Sequence, residues 1–293
     1  MSSNHGIVWL ASYPKSGNTW FRIVLANMLN TSEEPINLNQ INLGIMATER
    51  SLMNRVLGFN SSLLYHDELE PLRPSIYQWF AHQTPQHYCY LKIHDAYYSP
   101  QTQTTMVPQQ SNSYILYFIR NPFDVSISFA HHFNCTIDDA IKAMGKKAIL
   151  YNENDRATSH VGQFWSSWSL HVKSWTLDCD LNVLVLRYED MSSLPQKTFS
   201  QAAEFLELDI PATTIAKAIE DSRFEKLQQQ EKKFGFKERT GAPNETFFRK
   251  GIVGDWQNTL SQSQINKIIN DHGEMMHLYG YLNDQGEPIR NDQ

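Results

Sequence analysis

The sequence predicts an α/β fold: a central, mainly parallel sheet flanked by helices, in one domain across residues 1–293 with its core at about 7–280. Three observations predict it. Short apolar runs alternate along the chain with segments of helical spacing. The runs carry apolar residues at consecutive positions, as strands covered on both faces do. The first run ends in a turn holding a proline, a lysine and a glycine, directly before a helical pattern.

Taken in order, Ile7, Val8, Trp9, Leu10 and Ala11 suit a central strand. Pro14 and Gly17 turn the chain, and a helix over 19–28 follows from Trp20, Ile23, Val24, Asn27 and Met28 at spacings of three and four. Residues 38–80 read as irregular chain with short helices, among them one over 69–81 begun by a proline, Pro71 or Pro74. Further strands are expected at 88–93, 113–119 and 182–186. Between them, 101–113 is a polar surface loop. Trp165, Trp168, Val172 and Trp175 give 164–175 a helical apolar stripe, read as core packing rather than a cofactor surface. Helices at 196–206, 211–219 and 261–278 complete the pattern.

Composition narrows the function. The 293 residues carry 25 Lys and Arg against 31 Asp and Glu, a formal charge of -6, which opposes a surface built to hold a nucleic acid or other long polyanion. One local basic pocket remains compatible with it. The three cysteines, Cys89, Cys135 and Cys179, lack metal-ligand spacing and cannot all pair, so a reducing compartment is expected. The start lacks a basic segment before a signal-length apolar run, and no apolar stretch reaches membrane-span length. These readings give a cytoplasmic protein without stable membrane insertion.

Chemistry-bearing residues collect near the ends of the expected strands, where α/β sheets bind ligands. The turn of Lys15, Ser16, Gly17, Asn18 and Thr19 aims backbone N–H groups and a positive helix end at one point, and Lys15 adds a cation. Lys15 precedes Gly17, so this is not the G-x-x-x-x-G-K-[ST] triphosphate loop. Taken singly, such a turn also occurs in proteins that bind nothing. On the second strand, alternation puts Lys92 and His94 on the face opposite Leu91 and Ile93. A neutral imidazole can take a hydroxyl proton beside a cation that stabilises negative charge, although a lone histidine is commonly structural. Arg120 follows the third strand, and Pro122 begins a helix bearing Ser126 and Ser128. Arginine offers a planar fork to phosphate. Asp124, early in that helix, is equally suited to its N-terminus. Arg249-Lys-Gly-Ile-Val-Gly-Asp-Trp256 joins two cations to two glycines in a loop able to close over an anion.

In this order these segments resemble the family of sulfotransferases dependent on 3'-phosphoadenosine 5'-phosphosulfate (PAPS) over roughly residues 7–280. Residues 13–20 resemble the family's P-loop-like phosphosulfate-binding loop, Arg120-Asn-Pro with Ser128 its 3'-phosphate element, and 249–256 its RKGxxGDW motif. Lys92 and His94 fill its Lys-x-His position, and Tyr188-Glu-Asp190 is similar to its YED segment. The resemblance implies that Lys15, Ser16, Gly17, Asn18 and Thr19 surround the 5'-phosphosulfate, with Trp20 against the adenine. It implies Arg120, Ser128, Arg249, Lys250 and Gly251 at the 3'-phosphate, and Tyr188 and Phe224 framing the base. His94 would be the catalytic base, with Lys92 and Lys15 acting on the transferring sulfonate, no metal needed, and PAP as product.

Departures from the pattern carry information. Asn18 stands where the family often has threonine and still donates a hydrogen bond; Phe123 replaces a frequent lysine. Residues 257–262 lack the usual dimer motif, which leaves the oligomeric state open, and 36–80 look bacterial. The expected acceptor is a small, partly apolar hydroxyl compound such as a phenol, alcohol, lipid or secondary metabolite. Trp9, Tyr97, Phe129, Phe133, Phe164, Phe247 and Phe248 are candidates for its pocket, with His131 and His132 beside them. A nucleotide-dependent kinase and a noncatalytic nucleotide-binding protein are the alternatives.

Overall fold

The computed structural model describes residues 6–84, 88–108, 113–147, 150–151, 158–238 and 246–290. In chain order they form β1 (Gly6–Ser12), α1 (Asn18–Met28), β2 (Ile45–Met46), α2 (Arg50–Leu57), α3 (His66–Leu69), α4 (Arg73–Gln83) and β3 (Tyr88–Ile93). Next come β4 (Tyr98–Ser99), β5 (Thr104–Thr105), β6 (Ser113–Ile119), α5 (Pro122–His132), α6 (Ile137–Met144), β7 (Leu150–Tyr151), β8 (Gln163–Phe164), α7 (Trp168–Thr176) and β9 (Val183–Arg187). Five helices follow: α8 (Tyr188–Ser193), α9 (Pro195–Phe205), α10 (Ala212–Asp221), α11 (Phe224–Phe234) and α12 (Gln262–Leu278). The main sheet has the order β2-β3-β1-β6-β9, and β1 pairs in parallel with both β3 and β6. The α/β expectation with a mainly parallel sheet therefore describes the fold.

Residues cluster into two compact units whose segments interleave along the chain. One comprises Met1–Tyr13, Gly44–Phe118 and Lys146–Val185. The other comprises Pro14–Leu43, Ile119–Gly145 and Leu186–Gln293.

In the first unit, register pairs Trp9 with Leu91 and Ile115, and Ala11 with Ile93 and Tyr117. Partners in a parallel ladder share a face, so these side chains form one apolar surface. Helices α4 and α7 cover it. Tyr77 of α4 meets Trp9 edge-on at 5.2 Å, and Trp175 of α7 stacks on Tyr117 at 6.4 Å. The opposite face carries Leu10, Lys92 and Leu116 in one row. A buried fork closes this unit: Arg73 Nη1 and Nη2 bond the two carboxylate oxygens of Asp95 at 2.9 and 2.7 Å. Asp95 also accepts from the Phe164 N–H, which locks the turn after β3. Removing one partner of such a buried pair costs roughly 3–5 kcal/mol because the other charge is stranded.

In the second unit, α1 packs on α10, α10 on α9 and α9 on α8, while α12 packs on α5 and α6. Ile23 and Ala26 of α1, Leu227 of α11, and Leu38, Phe236 and Phe248 outside these helices share one hydrophobic core.

Element limits differ from the sequence expectation in instructive places. The Trp-rich helix begins at Trp168 rather than 164, because Ser166 is left-handed at φ 59° and the Ser167 side chain accepts from the Leu170 N–H as an N-cap. Phe164 stands instead in β8. The segment 69–81 is a 3-10 turn over Glu70–Leu72 followed by α4, with Pro74 in its first turn. Part of the polar loop at 101–113 is the β4–β5 hairpin. Residues 109–112 of that loop, and 1–5 of the chain start, lie outside the described residues.

Candidate active site

The segment expected to cradle an anion is a loop between β1 and α1. Lys15 has φ 71° and Gly17 φ 98°, two left-handed positions flanking Ser16. Alternation of this kind turns successive N–H groups toward one side, and the N-terminal end of α1 adds its partial positive charge. Glycine is required at 17, since a Cβ there would stand 2.6 Å from Tyr188 Cδ2. The buried Ser16 hydroxyl has no hydrogen-bond partner among the described residues, as suits a donor built to face a ligand. Lys15 Nζ lies 4.5 Å from the centre of the Phe247 ring.

Arg120 ties this loop to the late glycine-rich segment. Its Nη1 donates to the Lys15 carbonyl at 3.4 Å and its Nη2 to the Ile252 carbonyl at 3.2 Å. The guanidinium sits 4.1 Å over the Tyr188 ring. Its Nε is buried without a partner among the described residues. Tyr188 donates its hydroxyl to the Gly251 carbonyl at 3.3 Å. Gly251 is left-handed at φ 66° and lies flat on Phe224, whose ring would be 2.5 Å from an added Cβ. Trp20 donates from Nε1 to the Ser222 carbonyl at 3.0 Å and meets Tyr188 edge-on at 5.8 Å. Residues from 15 to 252 thus converge within the second unit, with aromatic rings beside unpaired donors. That combination fits a purine nucleotide with anionic ends. Ser128 is half-buried on α5.

Three carboxylates organise these parts. Asp124 accepts from the Gly254 N–H at 2.8 Å and the Trp256 N–H at 3.0 Å, so besides lying in the first turn of α5 it pins the late loop. Burial raises its pKa, opposed by Arg120 and those two N–H groups. Glu189 accepts from the Asn121 N–H at 3.0 Å and from the Tyr281 hydroxyl at 3.1 Å, fixing the turn after Arg120. Asp255 pairs with Arg249 at 3.1 Å and Lys250 at 2.8 Å. Burial raises the Asp255 pKa, but hydrogen bonds and charge from Lys250 and Arg249 outweigh it and bring the net value below the usual range. Any phosphate at these two cations competes with that carboxylate.

Lys92 and His94 belong to the first unit. The imidazole Nδ1 of His94 lies 2.8 Å from the Ser12 carbonyl and 3.2 Å from the Ser12 hydroxyl. A carbonyl can only accept, so the proton is on Nδ1 and the ring lone pair on Nε2, the tautomer a base needs. Met46 of β2 pairs with Lys92. Thr48 Oγ1 is 3.5 Å from His160 Nδ1. Burial lowers the His160 pKa; Lys92 and Arg50 add to this and Glu49 opposes it.

Of the aromatic candidates for the acceptor pocket, Trp9 is fully buried against Tyr77, and Phe248 packs with Phe236 in the second unit's core. Phe247 meets His132 edge-on with ring centres 6.4 Å apart, and Phe129 lies tilted against Phe133 at 4.4 Å. Tyr97 meets Trp175 edge-on. Among the described residues no three His, Cys, Asp or Glu side chains are grouped to hold a metal ion, and no helix is long and apolar enough to cross a membrane.

The family described as "Sulfotransferase domain" matches residues 6–280. Dog sulfotransferase 1B1 is 26% identical over 271 residues, covering 88% of this chain and 79% of its own length. Flavonol 3-sulfotransferase of Flaveria bidentis is 27% identical over 277 residues, covering 89% and 78%. In fold, the chain is similar to mouse sulfotransferase SULT7A1 solved with PAP, at TM-score 0.60 and 21% identity over 98% of this chain and 87% of that one. The chain belongs to the sulfotransferase family, whose PAPS-dependent enzymes move a sulfonate from PAPS to a hydroxyl of a small organic acceptor.

Proposed function

We propose that the chain acts as one sulfotransferase domain, with His94 as its base. Lys15, Ser16, Gly17, Asn18 and Thr19 hold the 5'-phosphosulfate. Arg120, Ser128, Arg249, Lys250 and Gly251 hold the 3'-phosphate, and Trp20, Tyr188 and Phe224 frame the adenine. The observation that carries this reading is the convergence on Arg120 of the Lys15 loop, the Tyr188 ring and the Ile252 carbonyl, with the Tyr188 hydroxyl bonded to the neighbouring Gly251 carbonyl.

PAPS supplies an activated sulfonate on a good phosphate leaving group. The chain's residues do the rest. His94 Nε2 takes the acceptor hydroxyl proton as the oxygen attacks, and the Ser12 carbonyl stabilises the imidazolium through Nδ1–H. Lys15, Lys92 and the N–H groups of the loop meet the charge that develops on the departing and equatorial oxygens; one such donor is commonly worth about 3 kcal/mol. The acceptor is a small, partly apolar hydroxyl compound, in keeping with the acidic balance and a relative named flavonol 3-sulfotransferase. Cytoplasmic location fits the free cysteines and relatives named cytosolic.

Calorimetric titration with PAP, together with sulfonate transfer from PAPS to a mixed panel of phenols and alcohols, tests the proposal. His94→Ala is expected to bind PAP within twofold of the parent and to lose at least about 100-fold in turnover. Lys15→Ala is expected to weaken PAP binding as well. Ordinary turnover by His94→Ala removes the base assignment. Folded parent protein that binds ATP and ignores PAP removes the donor-site assignment and favours a kinase.

A further inference from the structure

We infer that His171, a fully buried residue of α7 outside the motif segments named above, is a positioning residue that fixes the backbone of His94 and so the direction of its Nε2 lone pair. The inference rests on the reading of His94 as the base.

His171 Nε2 lies 3.1 Å from the His94 carbonyl, and its Nδ1 lies 2.9 Å from the Tyr117 hydroxyl. The carbonyl can only accept, so Nε2 carries the proton. Nδ1 is then an acceptor, and the Tyr117 O–H must donate to it. This assigns every proton in the chain Tyr117 O–H to His171 to His94 carbonyl. Burial keeps the imidazole neutral across the working range, pushing its pKa down to about 3 against the pull of the His94 and Asp95 backbone. The bridge therefore does not switch with pH near neutrality.

The contact is not an isolated satisfied core histidine, because α7 directs three groups at consecutive parts of the same turn. Residues 171, 174 and 175 share one face of the helix at spacings of three and four. His171 holds the His94 carbonyl, Trp175 Nε1 donates to the Asp95 carbonyl at 2.9 Å, and Ser174 Oγ accepts from the Tyr97 N–H at 3.1 Å. Tyr13, the residue that leads into the Lys15 loop, meets the His171 ring edge-on at 5.5 Å. His94 is thus held at two points, by its main chain through His171 and by its ring through Ser12. Loss of the first removes the imidazole donor from the His94 carbonyl and lets the ring rotate off the Ser12 carbonyl. A misplacement of about 1 Å at a reacting group can cost on the order of 100-fold in rate.

The test combines kinetics with imidazole 15N NMR of the full chain, the His94 signals being assigned by their loss in His94→Ala. In the parent, His94 is expected to show a protonated Nδ1 and an unprotonated Nε2. His171→Leu is expected to lower kcat about 10- to 100-fold, to leave PAP affinity within twofold, and to give mixed tautomers at His94. His171→Gln, whose amide can donate to the same carbonyl, is expected to restore the tautomer and most of kcat. A leucine variant with parental kcat and a fixed tautomer overturns the inference. So does a kcat loss that leaves the tautomer unchanged and that glutamine does not repair, since that pattern is packing damage alone. Should the leucine variant fail to fold, Tyr117→Phe decides. Removing its donor leaves His171 held only through Nε2–H and is expected to lower kcat about 3- to 10-fold and give mixed tautomers at His94, and no change in either overturns the inference. Activity in His94→Ala would refute the base reading instead, and the tautomer measurement distinguishes the two failures.

Discussion

Removing the Asp124 carboxylate should uncouple the late basic loop from nucleotide binding. Asp124 holds that loop through two N–H donors, at Gly254 and Trp256, both on buried residues. Hydrogen bonds to a charged acceptor contribute about 1.5–3 kcal/mol each, so Asp124→Ala removes roughly 3–6 kcal/mol from the docked loop. Taking the lower end, about 3 kcal/mol corresponds to a factor on the order of 100 in any equilibrium that needs the loop docked. PAP affinity measured by calorimetry should fall by about that factor. Adenosine 5'-phosphosulfate, which lacks the 3'-phosphate, should lose far less. Asp124→Asn keeps one acceptor oxygen and turns an NH2 toward the second N–H, so an intermediate loss near tenfold is expected. A folded Asp124→Ala protein that binds PAP within threefold of the parent refutes the reasoning. Equal losses for both nucleotides would also refute it, by moving the effect from the loop to the start of α5.

Two further outcomes follow from the same structure. Gly251→Ala must place a Cβ 2.5 Å from the Phe224 ring at φ 66°; the left-handed penalty of about 1–2 kcal/mol plus crowding should weaken PAP binding at least tenfold, and an unchanged Kd would remove Gly251 from the site. Stability should fall on acidification through two buried histidines, His171 at about 3 and His272 at about 4, both lowered mainly by burial. Because their folded pKa values lie below the unfolded value, the unfolded chain binds more protons between roughly pH 6.5 and 4, and stability is lost as pH falls through that window. Each contributes up to about 2 kcal/mol between pH 6.5 and 5. Urea melts of His272→Gln from pH 7 to 5 should show a shallower slope than the parent, and parallel curves would count against a neutral buried His272.

Local chemistry was legible wherever the reason for a residue lies within a few positions of it. Pro14, Lys15 and Gly17 announce a turn into a helix because fixed and left-handed backbone angles are local demands, and they lie where φ 71° and 98° are found. Alternation in β3 put Lys92 and His94 on one face for the same reason. The start of α7 was misjudged because apolar spacing continues through Phe164 and Trp165, while the stop is made by one left-handed serine and one capping hydroxyl. Asp124 was read as a helix-end carboxylate, and its grip on residues 130 positions away has no local signal.

By itself the sequence determined the kind of protein: strands and helices in α/β order, a glycine turn leading from a strand into a helix, and motifs whose order is that of a sulfotransferase. Folding alone decided which atoms face one another. It set Arg120 between the Lys15 and Ile252 carbonyls, gave His94 its tautomer through Ser12, and put His171 behind it. The physical reason is that helix, turn and strand preferences act over a few residues. Hydrogen bonds between residues 77 to 132 positions apart depend on strand register and helix packing, which form only when the whole chain is in place.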